Sequence, residues 1–166
     1  MRMIHERDAT GAMAEQARHA MRAALGAAAD AAGHGDVPVG AAVFDRDGIV
    51  SVERNRREAD SDPTAHAEIL AIRAAAQARG SWRLDGCGLA VTLEPCAMCA
   101  GAIVLARLDL VAYGADDPKA GAAGSLYNIC QDARLNHETE LVYGLEEAAS
   151  RWMLQDFFSS RRANSD

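Results

Sequence analysis

Lysine is almost missing from this sequence: of 17 lysines and arginines, Lys119 is the one lysine. The excess of arginine and alanine is read as a bias of genome composition, and no function is drawn from it. No stretch approaches the roughly 18 apolar residues of a membrane-crossing helix, so no membrane association is expected. The charged Met1–Asp8 segment runs into an alanine-rich stretch broken by Glu15, Arg18 and Arg22. An export signal needs an uninterrupted apolar core, so none is read here and a cytoplasmic location is expected. A surplus of positive charge is missing too. The net charge of −7 gives no chain-wide sign of nucleic-acid binding, so any polyanionic partner would need a local basic patch. Cysteine is sparse, with four in the chain. In a reducing compartment, clustered cysteines bind metal more often than they form disulfides.

What is present describes an ordinary globular chain. Its 166 residues, 49% hydrophobic and 25% charged, suffice for one domain with a hydrophobic core. No repeat or linker divides it, so 1–166 is read as a single domain with flexible ends at 1–8 and 163–166. Residues 11–33 have helical spacing, closed by Gly33 and Gly35. Val37 to Phe44 and Ile49 to Arg54 are strands joined by a turn at Asp47-Gly48. Asn55 to Ser61 is a polar loop. Asp62-Pro63 predicts the start of a helix that runs to about Arg79 and stops at Gly80. Gly86 to Thr92 is a third strand, and Pro95 opens a helix that ends near Arg107. Leu108 to Tyr113 and Leu141 to Tyr143 complete five strands. Glu146 to Arg162 is a closing helix. Strands alternating with helices predict an α/β fold: a three-layer α/β/α sandwich around a mixed five-stranded sheet.

Two short segments carry chemistry: His66-Ala67-Glu68, and Pro95-Cys96-Ala97-Met98-Cys99. One His and two Cys can hold a zinc ion and leave one tetrahedral position open. Cys96 and Cys99 stand i and i+3 at the start of a helix, so both sulfurs reach one ion. The free N–H groups and partial positive charge of a helix N-terminus favour the thiolates that zinc needs. Glu is the wrong residue type for a purely structural site and the right one for moving a proton on a water at the metal. On a regular helix Glu68 would point roughly 160–200° away from His66, so joint ligation is strained. Cys87 and Cys130 are read as buried apolar residues.

This H-x-E…P-C-x-x-C pattern resembles the signature of zinc-dependent nucleobase deaminases, the cytidine deaminase-like enzymes. Beyond it, the chain is similar over nearly its whole length to the bacterial tRNA-specific adenosine deaminase family. The segments that carry this likeness are Asp36-Val37-Pro38-Val39-Gly40, Asn55, Asp62 to Ile69, Val91 to Cys96, Met98 to Ala102, Gly121 to Leu126, Leu135-Asn136-His137 and Asp156-Phe157-Phe158…Arg161-Arg162. The Gly-Ala-Ala-Gly-Ser-Leu loop and the Phe-Phe…Arg-Arg tail are its more specific marks. The resemblance implies that His66, Cys96 and Cys99 hold one zinc ion per subunit. It implies that Glu68 takes a proton from the attacking water and passes it to the purine ring and the leaving ammonia, converting adenosine to inosine. Asn55 would hydrogen-bond the base edge, and Asp117 and Lys119 would line the RNA path. Phe158, Arg161 and Arg162 would contact a tRNA anticodon stem-loop. A homodimer is implied, with no DNA partner.

Blander readings stand beside these. Phe158 could pack in the core of an amphipathic helix, and Arg161 and Arg162 could be a solvated helix end, where cations are favourable without a ligand. Asp117 could simply serve its loop. Asp116 beside Asp117 places an acidic pair where a polyanion should approach, and Ser159-Ser160 adds no charge to the tail. Two other functions remain open: deamination of a free base or nucleoside such as guanine, cytosine or cytidine, and a non-catalytic zinc module with Cys87 or a further His completing a closed site.

Overall fold

Side-chain alternation along the strands decides the layers. The computed structural model describes residues 2–165. In β2 (Gly40–Asp45), Ala41 and Val43 pack into one core, with α3 (Ala67–Arg79) and α4 (Ala97–Ala106); Ala42 and Phe44 pack into another, with α1 (Ala12–Gly33). β4 (Gly88–Leu93) repeats the pattern with Leu89 and Val91 against Ala90. β5 (Leu110–Ala115) does so with Val111 and Tyr113 against Leu110 and Ala112. A two-residue period buried on both faces needs a helical layer on each side. The second layer is completed by α5 (Glu147–Ala163), which packs on β5 and α1.

The sheet has six strands in the order β1-β6-β5-β4-β2-β3, with β1 at Met3–His5, β3 at Gly48–Arg54 and β6 at Glu140–Tyr143. Strands β4, β5, β6 and β1 run parallel, while β2 is antiparallel to both its neighbours. The three-layer sandwich with a mixed sheet is as expected. The additional strand is β1, three residues with no alternation to announce it. It lies within the 1–8 segment expected to be flexible, as Ala163 of the other end lies within α5; Met1 and Asp166 fall outside the described residues.

Alanine in α1 has a structural use. Ala17, Ala20, Ala24, Ala28 and Ala31 are buried, and these short side chains let the helix backbone press onto the sheet. The approach is closest at Gly40, where a Cβ would lie 1.9 Å from the carbonyl oxygen of Ala24.

Two local expectations need correction, and both affect the site. Asp62-Pro63 does not open α3. Asp62 Oδ1 accepts from the Thr64 N–H and hydroxyl, both at 2.8 Å, and this Asx turn outcompetes helix formation. The helix begins at Ala67, with His66 as its N-cap. Within the stretch expected to be a polar loop, α2 (Arg57–Asp60) forms one turn. Its exposed amide donors are met from a distance: the buried Asp36 carboxylate accepts from Glu58 N–H (2.7 Å) and Ala59 N–H (3.2 Å). No helix among the described residues is long and apolar enough to cross a membrane.

Candidate active site

The C-terminal end of β4 delivers Pro95 and Cys96 to the start of α4, and the turn after α2 delivers His66 to the start of α3. His66 and Cys96 are both N-cap residues with extended backbones, at φ −71°, ψ 148° and φ −74°, ψ 176°. Neither side chain caps its own helix, which leaves both free for a shared ligand. Pro95 thus precedes the N-cap instead of sitting in the first turn. Cys99 lies one turn into α4 and is fully buried.

His66 Nδ1 is 3.7 Å from Cys96 Sγ and 3.5 Å from Cys99 Sγ. A tetrahedral ion with Zn–N of about 2.05 Å and Zn–S of about 2.3 Å would separate such atoms by about 3.6 Å. All three ligand atoms lie within 4.8 Å of one another, and no other such group of His, Cys, Asp or Glu occurs among the described residues. Cys87, the candidate fourth ligand of a closed site, is buried in the core beneath α3 and α4. Cys130 is buried as well.

The site's electrostatics call for a cation. Cys96 is pushed down to about 3, first by the Cys99 thiol that hydrogen-bonds it and then by His66. Cys99 moves the other way, because it holds the proton that the pair shares and is buried. His66 is raised by its contact with Cys96. A cluster that retains one thiolate and attracts positive charge fits zinc, the borderline-soft ion that N and S donors favour.

Glu68 follows at the second position of α3. It is 4% exposed, and burial raises its carboxyl to about 7. Such a group can both accept and donate a proton near neutral pH. The geometric objection from the sequence dissolves because His66 lies outside the helix: an extended N-cap frees the two side chains from the helical angle between them. His66, Glu68 and Cys96 line one pocket of about 200 Å³ with Asn55, Arg57, Glu94 and Asp117.

Asn55 is 6% exposed and is fixed on both sides. Its Nδ2 donates to Val37 O at 3.1 Å, and its Oδ1 accepts from Arg57 N–H at 3.2 Å. One N–H and one lone pair remain for a ligand in the pocket. Asp117 lines the pocket and also serves its own loop, accepting from Lys119 N–H (3.0 Å) and Ala120 N–H (3.1 Å). Lys119 is exposed and is not part of the wall. Phe158, Arg161 and Arg162 are likewise outside the pocket, together on the exposed end of α5. Phe158 is 44% exposed and not a core residue; its ring stands edge-on to Phe157. Arg161 is partly committed, donating to Gly35 O at 2.7 Å and covering the Phe157 ring. Arg162 reaches Ser159 Oγ.

Two pocket residues escaped the sequence reading. Arg57 is exposed on the pocket wall and makes no ion pair among the described residues. Nothing in the sequence separates it from Arg56, which pairs with Asp60. Glu94 is 2% exposed; it falls within the Val91 to Cys96 segment of likeness, as an acidic residue at the end of a buried strand, but was given no role.

Fold and ligand set together define a zinc-dependent deaminase class, and comparison with known proteins agrees. Residues 14–115 match the family model of the cytidine and deoxycytidylate deaminase zinc-binding region. The tRNA-specific adenosine deaminase of Bacillus subtilis is 45% identical over 142 residues, 86% of this chain and 88% of the relative. That of Aquifex aeolicus is 43% identical over 145 residues, 87% and 95%. A solved structure from work on A-to-I editing by tRNA:A34 deaminases superposes with a TM-score of 0.79 at 41% identity, covering 82% of this chain and 99% of that one. A guanine deaminase from Nitrosomonas europaea, at TM-score 0.74 and 23% identity over 86% and 84%, shares the fold. The chain belongs to the cytidine deaminase-like zinc deaminases, in the branch of the bacterial tRNA-specific adenosine deaminases.

Proposed function

We propose that this protein hydrolyses adenosine to inosine, with release of ammonia, at the wobble position of a tRNA anticodon loop. The observation that carries the reading is the buried Glu68, which lines one pocket with His66 and Cys96, two members of the three-ligand set that Cys99 completes. A closed structural site has no use for it. The relatives named as tRNA-specific adenosine deaminases support the choice of substrate.

His66, Cys96 and Cys99 hold one zinc ion, which when bound supplies the Lewis acidity that makes water nucleophilic at neutral pH. Glu68 accepts the proton of the attacking water, which adds at C6 of adenine. Glu68 passes that proton to ring N1, then takes the proton of the hydroxyl added at C6 and gives it to the amine. The amine leaves as ammonia as the C6–N bond breaks and the C6=O bond forms; the carboxylate ends as it began. Asn55 offers its remaining N–H and lone pair to the base edge. A paired base cannot enter a pocket of this size, but an unpaired loop base can be flipped in cheaply.

Asp117 and Lys119 on their loop, and Phe158, Arg161 and Arg162 on α5, are the proposed RNA contacts outside the base pocket. The chain acts as a single domain in the cytoplasm and as a homodimer. Helix α4 supports the dimer: it is apolar on every face, and Met98 and Leu105 are exposed, Leu105 by 69%. A helix apolar all round is ordinarily covered all round.

The test offers an anticodon stem-loop RNA beside free adenosine, guanine, cytosine and cytidine. Inosine formed in the RNA supports the reading; turnover of a free base or nucleoside alone removes it.

A further inference from the structure

The Glu94 carboxylate is bonded into the segment 117–125. Its Oε2 accepts from Asp117 N–H (2.9 Å) and the Ser125 hydroxyl, and its Oε1 from Ala123 N–H (3.1 Å) and Ser125 N–H (2.9 Å). A carboxylate has about four lone-pair sites, and one loop fills them all. The contact leaves no slack: a Cβ on Gly121 would stand 2.3 Å from Glu94 Oε2 and 2.6 Å from Asp117 O. The backbone continues the seam, since Ala122 N–H donates to Pro95 O at 2.8 Å and Gly121 forms an isolated β-bridge with Cys96. The loop so held supplies Asp117 and Ala120 to the pocket wall. Its position is therefore referenced to the same backbone, Glu94 to Cys96, that positions a metal ligand.

We propose that Glu94 is the positioning residue that sets the substrate wall of the pocket, by latching the 117–125 loop to the segment that carries Cys96. Its role in substrate binding rests on the tRNA deaminase reading. The four side-chain hydrogen bonds of Glu94 all go to the 117–125 loop, so its loss frees that wall without removing Glu68 or a ligand. A wall that holds substrate and transition state alike sets KM, not kcat.

The test is Glu94→Gln, which keeps the size of the side chain but turns a donor toward the loop's N–H groups. In the zinc-loaded protein, amides of 117–125 should exchange about tenfold faster or more, while those of α1 keep their protection. Zinc stays at one per chain. On the stem-loop RNA, KM should rise about tenfold with kcat held within about threefold. Ser125→Ala removes one of the four donors and should move loop exchange and KM in the same direction by less; it decides the matter if Glu94→Gln does not fold. Unchanged loop protection overturns the proposal. So does faster loop exchange with an unchanged KM, or a rise in exchange spread evenly over the chain. The exchange measurement needs no substrate, and the wild-type protein run beside the variants reports separately on the deaminase reading.

Discussion

His66 and Cys96 hold the same position in two different helices. Each is an N-cap with extended backbone, of α3 and of α4, and their ligand atoms meet 3.7 Å apart. The coincidence gives the site its chemistry. Two helix starts converge on one point, so their free amides and partial positive charges stabilise thiolate there. Because His66 is outside the helix and Glu68 within it, the imidazole and the carboxyl line the same pocket.

Glu68→Gln is expected to retain the fold and one zinc per chain while losing about 10²- to 10⁴-fold in kcat, the usual contribution of a positioned proton carrier. Metal analysis beside single-turnover kinetics checks this. Full activity in the zinc-loaded variant would show that Glu68 moves no proton in the rate-limiting step.

Cys99→Ser should abolish stoichiometric zinc, because a hydroxyl is a poor ligand where a thiolate is needed. Cys87→Ser, at a buried thiol of the core, should keep one zinc per chain. Zinc loss in the Cys87 variant without unfolding would favour a closed four-ligand module and count against catalysis.

Arg57, on the pocket wall, makes no ion pair among the described residues, on a protein of net charge −7. Arg57→Glu is expected to raise KM for the stem-loop about tenfold, with a shallower dependence on salt if the guanidinium meets a phosphate. Zinc content and melting temperature should not move. An unchanged KM and salt slope would place the RNA backbone elsewhere.

Gly40→Ala should destabilise the protein by about 3 kcal/mol or more, because the methyl group meets the α1 backbone and not a side chain that can turn aside. Chemical denaturation of the zinc-loaded protein measures it. A loss under about 1 kcal/mol would mean that α1 shifts readily on the sheet.

The legible part of the site was the part with local spacing. His66, Glu68, Cys96 and Cys99 stand in two short segments whose residue types suit one chemistry, and the succession of strands and helices announced a three-layer fold. Helix starts were less legible. Asp62-Pro63 has the composition of a helix N-terminus, but Thr64 lets Asp62 close an Asx turn instead. α2 is capped by Asp36, 22 residues before Glu58 in the chain, and nothing near Arg57 reports it. Glu94 was hidden for the same reason: its partners lie 23 to 31 residues later. Strand β1 exists because β6 offers an edge, which three residues by themselves cannot disclose.

The most direct measurement is inosine formation by the zinc-loaded protein in an anticodon stem-loop with adenosine at the wobble position, beside the same loop carrying cytidine there and beside free adenosine. Inosine is expected in the first RNA, formed about 10²- to 10⁴-fold more slowly by Glu68→Gln, with no comparable turnover of the other two. Turnover of a free base or nucleoside with no inosine in the RNA would contradict it.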